Sequence, residues 1–359
     1  MTPIPPHGSY LFPPIDKVIY GPGTVSRLTD EVERLDAQKV FVASTSSIAE
    51  KTDLLQRVEN LLGKRFVGSF SKIRQHTPSG VVSALSKRLE DTEADMVVSL
   101  GGGSVIDATK AAVLAAARDT GHFLPHIALP TTLSASEFSP LFGVTDEATK
   151  VKAGGSNPFV TPRVAILDAE LTVHTPAWLW LSSGVRALDH AVETVYAPDH
   201  GPATDAPALE AIRLLFECLP ASADAGNLYA RQQCQLAAWL SFFGVANITL
   251  GLSHVLGRQI GPRYDVPHGH TSAVLLPKVM EAILPTTLDQ QALIACAAGV
   301  ATRASDVQEA AGRAAPAVFD FVGSMELPQR LRDLGVPESD LDELSGGRPE
   351  VLRVLQAAW

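Results

Sequence analysis

Over the first 165 positions, apolar residues come in short continuous runs separated by polar or glycine-rich turns. Lys39-Val40-Phe41-Val42-Ala43-Ser44 predicts a buried strand and a polar turn, and Asp53 to Leu62 then takes helical spacing. Asp95 to Leu100 predicts a second strand, Gly101 to Ala117 a glycine turn opening an Ala-rich helix, and His126 to Pro130 a third strand. Strand, helix and strand in this rhythm predict a parallel sheet with right-handed crossovers. After a short strand at Arg163 to Leu167 the period changes. Trp178 to Ala197, Pro207 to Leu219, Leu228 to Phe243 and Gln290 to Ala304 all carry 3.6-residue apolar spacing. The pattern therefore predicts an α/β domain over residues 1–168 and an all-helical domain over 169–359, with the boundary near Asp168 to Thr175.

Composition narrows the function classes. A chain of 359 residues with 46% hydrophobic and 19% charged content is expected to form a globular protein of two domains. Its formal net charge of −10 argues against a nucleic-acid partner, whose phosphates need a basic surface. No apolar run is long enough for a membrane span, and MTPIPPHGSYLFPPIDK lacks the basic start and apolar centre of a secretion signal. Cys218, Cys234 and Cys296 are odd in number and have no CxxC spacing, as expected of reduced thiols in the cytoplasm.

Candidate chemistry concentrates in Gly251 to His270, GLSHVLGRQIGPRYDVPHGH, which holds three of the ten histidines and one acidic residue, Asp265. His254 and Arg258 are four apart and share a helix face, and Pro267 is expected to send the chain into a turn at His268. Such a cluster suits a metal, a proton relay or an anionic substrate. A second candidate follows the strand ending at Leu100. Gly101-Gly102-Gly103-Ser104 opens a helix, where bare backbone N–H groups and the helix dipole favour a phosphate. The same glycines also suit a tight turn without a ligand. The next strand ends in Pro130-Thr131-Thr132-Leu133-Ser134-Ala135-Ser136-Glu137, and two polar turns after neighbouring parallel strands favour a nucleotide cleft. Candidate cofactor contacts are Gly101, Gly102, Gly103, Ser104, Asp107, Thr131, Thr132, Ser134 and Ser44. The end of the first strand, Ala43-Ser44-Thr45, has no acid to select a free ribose 2′-hydroxyl, so NADH and NADPH both remain open.

The order of these pieces resembles the iron-containing alcohol dehydrogenase superfamily, and within it the maleylacetate reductase branch, over almost the whole chain. The resemblance rests on Tyr20-Gly21-Pro22-Gly23, His76-Thr77-Pro78, GGGSVIDATK and PTTLSASE. It continues through Ile166-Leu167-Asp168, Glu170-Leu171-Thr172, His190-Ala191-Val192-Glu193, Tyr196-Ala197-Pro198-Asp199 and Asp265-Val266-Pro267-His268. It implies a dinucleotide-binding domain followed by a helical domain, a site between them, a homodimer, and NADH- or NADPH-dependent reduction of 2-maleylacetate to 3-oxoadipate. In metal-dependent members one Asp and three His hold a divalent ion. The positions matching them here are Arg186, His190, His254 and His268, and Arg258 stands where the family normally has a further histidine.

These departures change the expected chemistry. Asp189 is adjacent to His190, about 100° away around a helix, so it is expected to be a solvated or capping carboxylate and not a replacement ligand. An arginine is permanently cationic and would repel a metal, so none is expected. Arg186 and Arg258, with Arg263 or Lys152, would instead make a pocket for an anionic keto or enoic acid, with His254 or His190 as proton donor and His268 beside them. The expected function is a metal-independent, NAD(P)H-dependent maleylacetate reductase. The alternatives are oxidation or reduction of an unrelated alcohol or aldehyde, and a scaffold reworked for non-redox chemistry.

Overall fold

The computed structural model describes residues 9–118, 120–149 and 151–359, so the expectation for the N-terminus falls partly outside it. Six parallel strands form one sheet: β1 (Lys17–Tyr20), β2 (Val40–Ala43), β3 (Phe66–Phe70), β4 (Met96–Gly101), β5 (His126–Pro130) and β8 (Val164–Leu167). A separate antiparallel hairpin is made by β6 (Leu141–Thr145) and β7 (Lys152–Ser156). The sheet order is β1-β8-β5-β4-β2-β3, so the winding direction reverses between β2 and β4. Crevices at such reversals, outside the carboxyl ends of the strands, are where open parallel sheets bind ligands.

Every residue of β2, β4, β5 and β8 is buried, as a sheet covered on both faces requires. Val40, Val42, Met96, Val98 and Leu100 join one core with α1 (Leu28–Arg34) and α3 (Leu54–Leu62). Phe41, Ala43 and Val97 point the other way, into a core with α4 (Ser79–Asp91) and α5 (Gly103–Ala116). A short helix, α2 (Ser46–Lys51), follows β2, with Thr45 as its N-cap.

The rest of the chain is helical: α6 (Ala177–Tyr196), α7 (Pro202–Cys218), α8 (Leu228–Phe242), α9 (Leu252–Arg263), α10 (His268–Ile283), α11 (Leu288–Ala297), α12 (Val307–Ser324), α13 (Leu341–Ser345) and α14 (Pro349–Ala358). Helix α6 is buried along most of its length at the centre of this half, and its core extends to Leu133 and Leu167 of the sheet half. Among the described residues no single helix is long and apolar enough to cross a membrane.

Three boundaries differ from the sequence reading. Helix α7 begins at Pro202, one turn before Pro207, because the Thr204 hydroxyl accepts the Gly201 N–H and organises an earlier start. Helix α11 ends at Ala297, ahead of Gly299 in the left-handed region (φ 77°), so the chain has already turned before Ala304. His268 is the first residue of α10, with Pro267 as N-cap, and does not lie in a turn appended to α9. Pro suits that place because the first helical N–H groups have no intrahelical partner.

The crossing of α6 with α10 sets the depth of the site. A Cβ on Gly269 would lie 2.1 Å from the carbonyl oxygen of Ser182. Gly269→Ala is therefore expected to lower stability by about 1–3 kcal/mol or more, measured as a shift of the urea midpoint. An unchanged midpoint would mean that the helices can separate freely here.

Candidate active site

A single cavity of about 1050 Å³ runs from the carboxyl ends of β2, β4 and β5 to the helices α6, α9 and α10. Its sheet-side limb is lined by Thr45, Ser47 and Lys51 after β2, by Gly102, Gly103, Ser104 and Asp107 after β4, and by Thr131, Thr132 and Ser134 after β5. Gly101 takes φ 154°, and a Cβ on Gly103 would lie 2.8 Å from the Ser134 hydroxyl. The glycines thus let the two loops close together while α5 presents its N-terminus to the cavity. That arrangement suits a dinucleotide pyrophosphate on size, bare backbone and dipole. Ser134 Oγ is buried without a hydrogen-bond partner among the described residues, a hydroxyl available on that wall.

Of the expected cofactor contacts, Ser44 and Gly101 do not line the cavity, whereas Asp107 does. Ser44 is wholly buried and donates to the Leu100 carbonyl at 2.8 Å, tying β2 to β4 from below the cavity. Its neighbours Thr45 and Ser47 take the lining positions because the chain leaves the sheet at that point. Asp107 lines the cavity, but its carboxylate accepts from the Ser136 hydroxyl and the Gly143 N–H. It therefore fastens α5 to the β6–β7 hairpin. Lys110, one turn later, assists by donating to the carbonyls of Ser136 and Leu141.

The helical limb gathers His190, His254, His268, Arg186 and Arg258, with Lys152 and His76 from the sheet half. Lys152 Nζ donates to His268 Nε2 at 3.1 Å, leaving ammonium protons for a ligand. Burial pushes the Lys152 pKa below its ordinary value, Asp107 opposes this, and Arg186 and Arg258 lower it further. All three cations line the same cavity. Arg258 is exposed toward the cavity beside Gly154 of β7, whereas His254, one turn earlier, is buried. Arg263, considered for the same pocket, is instead paired on the surface with Asp340 and Glu343. Five residues after Arg258 on the same helix, it lies about 140° further round α9, which turns its side chain away from the cavity.

Beneath the cations lies a buried polar network. Asp189 has no exposed surface, and its Oδ2 accepts from Ser253 Oγ at 3.0 Å, Ser272 Oγ at 2.6 Å and Arg186 at 3.2 Å. The expectation of a solvated carboxylate is thus wrong: α10 packs over α6 and encloses it. Glu193 accepts from the N–H groups of Gly251, Ser253 and His254 at the start of α9. Its Oε2 also lies 2.7 Å from His254 Nδ1. Burial raises the Glu193 pKa, but the three N–H groups and Arg186 oppose that rise. Among the described residues neither ring nitrogen of His254 makes a hydrogen bond, although Glu193 Oε2 stands close to Nδ1, so both Nδ1 and Nε2 are buried polar atoms without a partner. Burial, reinforced by Arg186, holds the His254 pKa down at about 3, so the ring is uncharged. His190 sits beside it, 4.8 Å between ring centroids, and 4.8 Å edge-on from Phe242.

These side chains do not fit a divalent metal. Among the described residues, the His, Cys, Asp and Glu donors that approach within 4.8 Å of one another are Asp189, Glu193 and His254, not the three histidines. Asp189 Oδ2 and both Glu193 oxygens already accept from hydroxyl, N–H and guanidinium donors, Asp189 Oδ1 alone has no partner among the described residues, and Arg186 stands 3.2 Å from Oδ2. A dication there would meet a fixed positive charge.

Sequence reasoning missed Glu193 and His76 as parts of the site, and identified Lys152 without its hairpin. Glu193 is three residues after His190 on α6, a spacing that places both near one face. His76 carries no signal of position, because its approach to His268 depends on how the two halves pack.

Comparison with known proteins agrees with this architecture. The family model for iron-containing alcohol dehydrogenase matches residues 14–169, and that for the C-terminal part of the Fe-containing alcohol dehydrogenase family matches residues 180–346. The chain is 32% identical over 330 residues to maleylacetate reductase of Rhizobium sp. (strain MTP-10005), covering 92% of this chain and 88% of that one. It is 36% identical over 264 residues to maleylacetate reductase 2 of Cupriavidus pinatubonensis, covering 73% and 70%. The crystal structure of maleylacetate reductase from Agrobacterium tumefaciens superposes with a TM-score of 0.85 at 30% identity, over 100% of this chain and 99% of that one. With this fold, these matched segments and relatives of this kind, the chain is an oxidoreductase belonging to the iron-containing alcohol dehydrogenase family, in its maleylacetate reductase branch.

Proposed function

We propose that this protein reduces maleylacetate, or a closely similar unsaturated keto dicarboxylate, to the saturated keto acid with NADH or NADPH and without a bound metal. The observation that carries the reading is the convergence of Lys152, Arg186 and Arg258 on one end of a cavity whose other end is a glycine-lined helix N-terminus. When bound there, the reduced nicotinamide supplies the hydride. Gly102, Gly103, Ser104, Thr131, Thr132 and Ser134 would hold its pyrophosphate and ribose; Thr45, Ser47 and Lys51 would face the adenosine.

The chain's own residues bind and polarise. Arg258, with no carboxylate partner among the described residues, clamps a substrate carboxylate. Arg186, locked by Asp189 and Ser272, and Lys152, locked by His268, place fixed positive charge where the keto oxygen gains negative charge as an enolate. The Lys152 ammonium is also the proton donor at hand. His254, held uncharged by burial, lines the cavity beside these cations as the second candidate for proton transfer. His190 and Phe242 form the wall that excludes water.

A substrate comparison tests this reading. Maleylacetate should drive oxidation of NADH or NADPH, followed by loss of reduced-cofactor absorbance, while uncharged aldehydes of similar size should not. Equal turnover of both classes would favour a general alcohol or aldehyde oxidoreductase. No cofactor binding by calorimetry would remove redox chemistry altogether.

A further inference from the structure

Three non-glycine residues in the left-handed backbone region meet at one edge of the cavity. They are His76 (φ 61°) and Thr77 (φ 54°), between β3 and α4, and Asp265 (φ 54°), between α9 and α10. For a β-branched residue such as Thr77 this conformation is a genuine outlier, and strain of this kind persists only where the surroundings hold it. The surroundings do. Thr145 Oγ1 donates to the His76 carbonyl at 2.7 Å, the Thr145 N–H donates to the Thr77 carbonyl at 3.0 Å, and Thr77 Oγ1 donates to the Ser104 carbonyl at 3.3 Å. One short loop is thereby pinned both to the hairpin that carries Lys152 and to the glycine turn.

The same loop reaches across to the helical half. The His76 ring stands perpendicular to His268, 5.6 Å between centroids, and its Nε2 lies 3.4 Å from Asp265 Oδ1. His76 lines the cavity and is almost wholly buried, while the Asp265 side chain is 90% exposed at the rim. On its far side His268 is confined by Gly261, where an added Cβ would lie 3.1 Å from its ring. The His268 ring is thus held between Gly261 and His76, with Nε2 aimed at Lys152 Nζ.

We propose that His76 is a positioning residue for substrate binding and turnover: held in a strained backbone by both halves of the site, it fixes the His268 ring and so aims the Lys152 ammonium at the substrate anion. The inference rests on the functional reading above and adds to it a residue that touches neither the proposed hydride path nor the carboxylate clamp. Lys152 has four rotatable side-chain carbons and one protein hydrogen-bond partner among the described residues, so a loose His268 leaves the ammonium free to wander. Misplacement of about 1 Å at a reacting centre can cost roughly a hundredfold in rate.

Two variants separate ring from backbone. Glycine adopts positive φ without strain, and asparagine tolerates it better than other side chains. His76→Gly and His76→Asn should therefore melt no lower than the wild type, and bind NADH and NADPH as tightly. The value of kcat/KM for maleylacetate should nevertheless fall by roughly 10–100-fold, and calorimetric affinity for maleate, a stable dicarboxylate probe, should weaken. Added imidazole should restore turnover in His76→Gly, where a ring-sized gap remains, and not in His76→Asn. Wild-type turnover and maleate affinity in both variants would overturn the inference, as would losses that track a lowered melting temperature in both. A wild-type protein that fails to reduce maleylacetate would instead remove the functional reading, and maleate affinity would then decide the role of His76 by itself.

Discussion

Arg258→Met is expected to raise KM for maleylacetate by roughly 10–100-fold while changing kcat little, because a hydrogen-bonded charge contributes about 1.5–3 kcal/mol to binding. Arg186 and Arg263 have carboxylates of their own, whereas Arg258 has none among the described residues and faces the cavity beside Gly154. Methionine keeps the bulk and helix propensity and removes the fork. Arg258→Lys should recover only part of the affinity, since a point charge cannot bind a carboxylate bidentately. If both variants keep the wild-type KM, Arg258 points to solvent and the clamp is elsewhere. Arg258→His, which restores the residue usual in the family, should bind the dicarboxylate no better than Arg258→Met at a pH where the imidazole is uncharged.

A larger effect is expected at Arg186, and on two observables at once. Arg186→Met leaves the wholly buried Asp189 without its guanidinium partner, and unpairing a buried charge costs about 3–5 kcal/mol. Ser253 and Ser272 still donate to Asp189, which favours the lower end of that range. Turnover should fall by about 10²–10³, the usual consequence of removing one donor aimed at a developing oxyanion. Adding Asp189→Asn should restore much of the stability and none of the turnover. That separation distinguishes a cation that acts on substrate from one that only balances Asp189. Recovery of both together in the double variant would show that Arg186 is structural.

Much of this was legible in the sequence, for identifiable reasons. The fully apolar runs Val40-Phe41-Val42 and Met96-Val97-Val98 are short, alternate with helical segments and suit strands covered on both faces, so the parallel core was readable from their length and order. The glycine turn was readable because a ligand-facing backbone imposes a local spacing, whereas the grouping of His190 with His254 and His268 came from the resemblance to the family. What was not readable depends on packing between distant segments. Nothing in the neighbourhood of Asp189 signals that α10 will bury it, so a helical-wheel argument misassigned it to solvent. Ser44 and Thr45 are adjacent and both polar; which one faces the cavity is decided by where β2 leaves the sheet, a boundary the pattern leaves loose. The β6–β7 hairpin was missed because Lys152-Ala153-Gly154-Gly155-Ser156 is too poor in β-branched and aromatic residues to signal a strand. It forms through tertiary support from Asp107 and Lys110.

The central claim is that fixed cations of the chain, above all Arg186, do the polarising work that a metal performs in metal-dependent relatives. The most direct test is turnover of maleylacetate by protein that has been exhaustively treated with chelator, with its iron and zinc content measured in parallel. Undiminished turnover at a metal content far below one atom per chain is the result predicted. Loss of activity on chelation, with recovery on adding back a divalent ion, would contradict the claim.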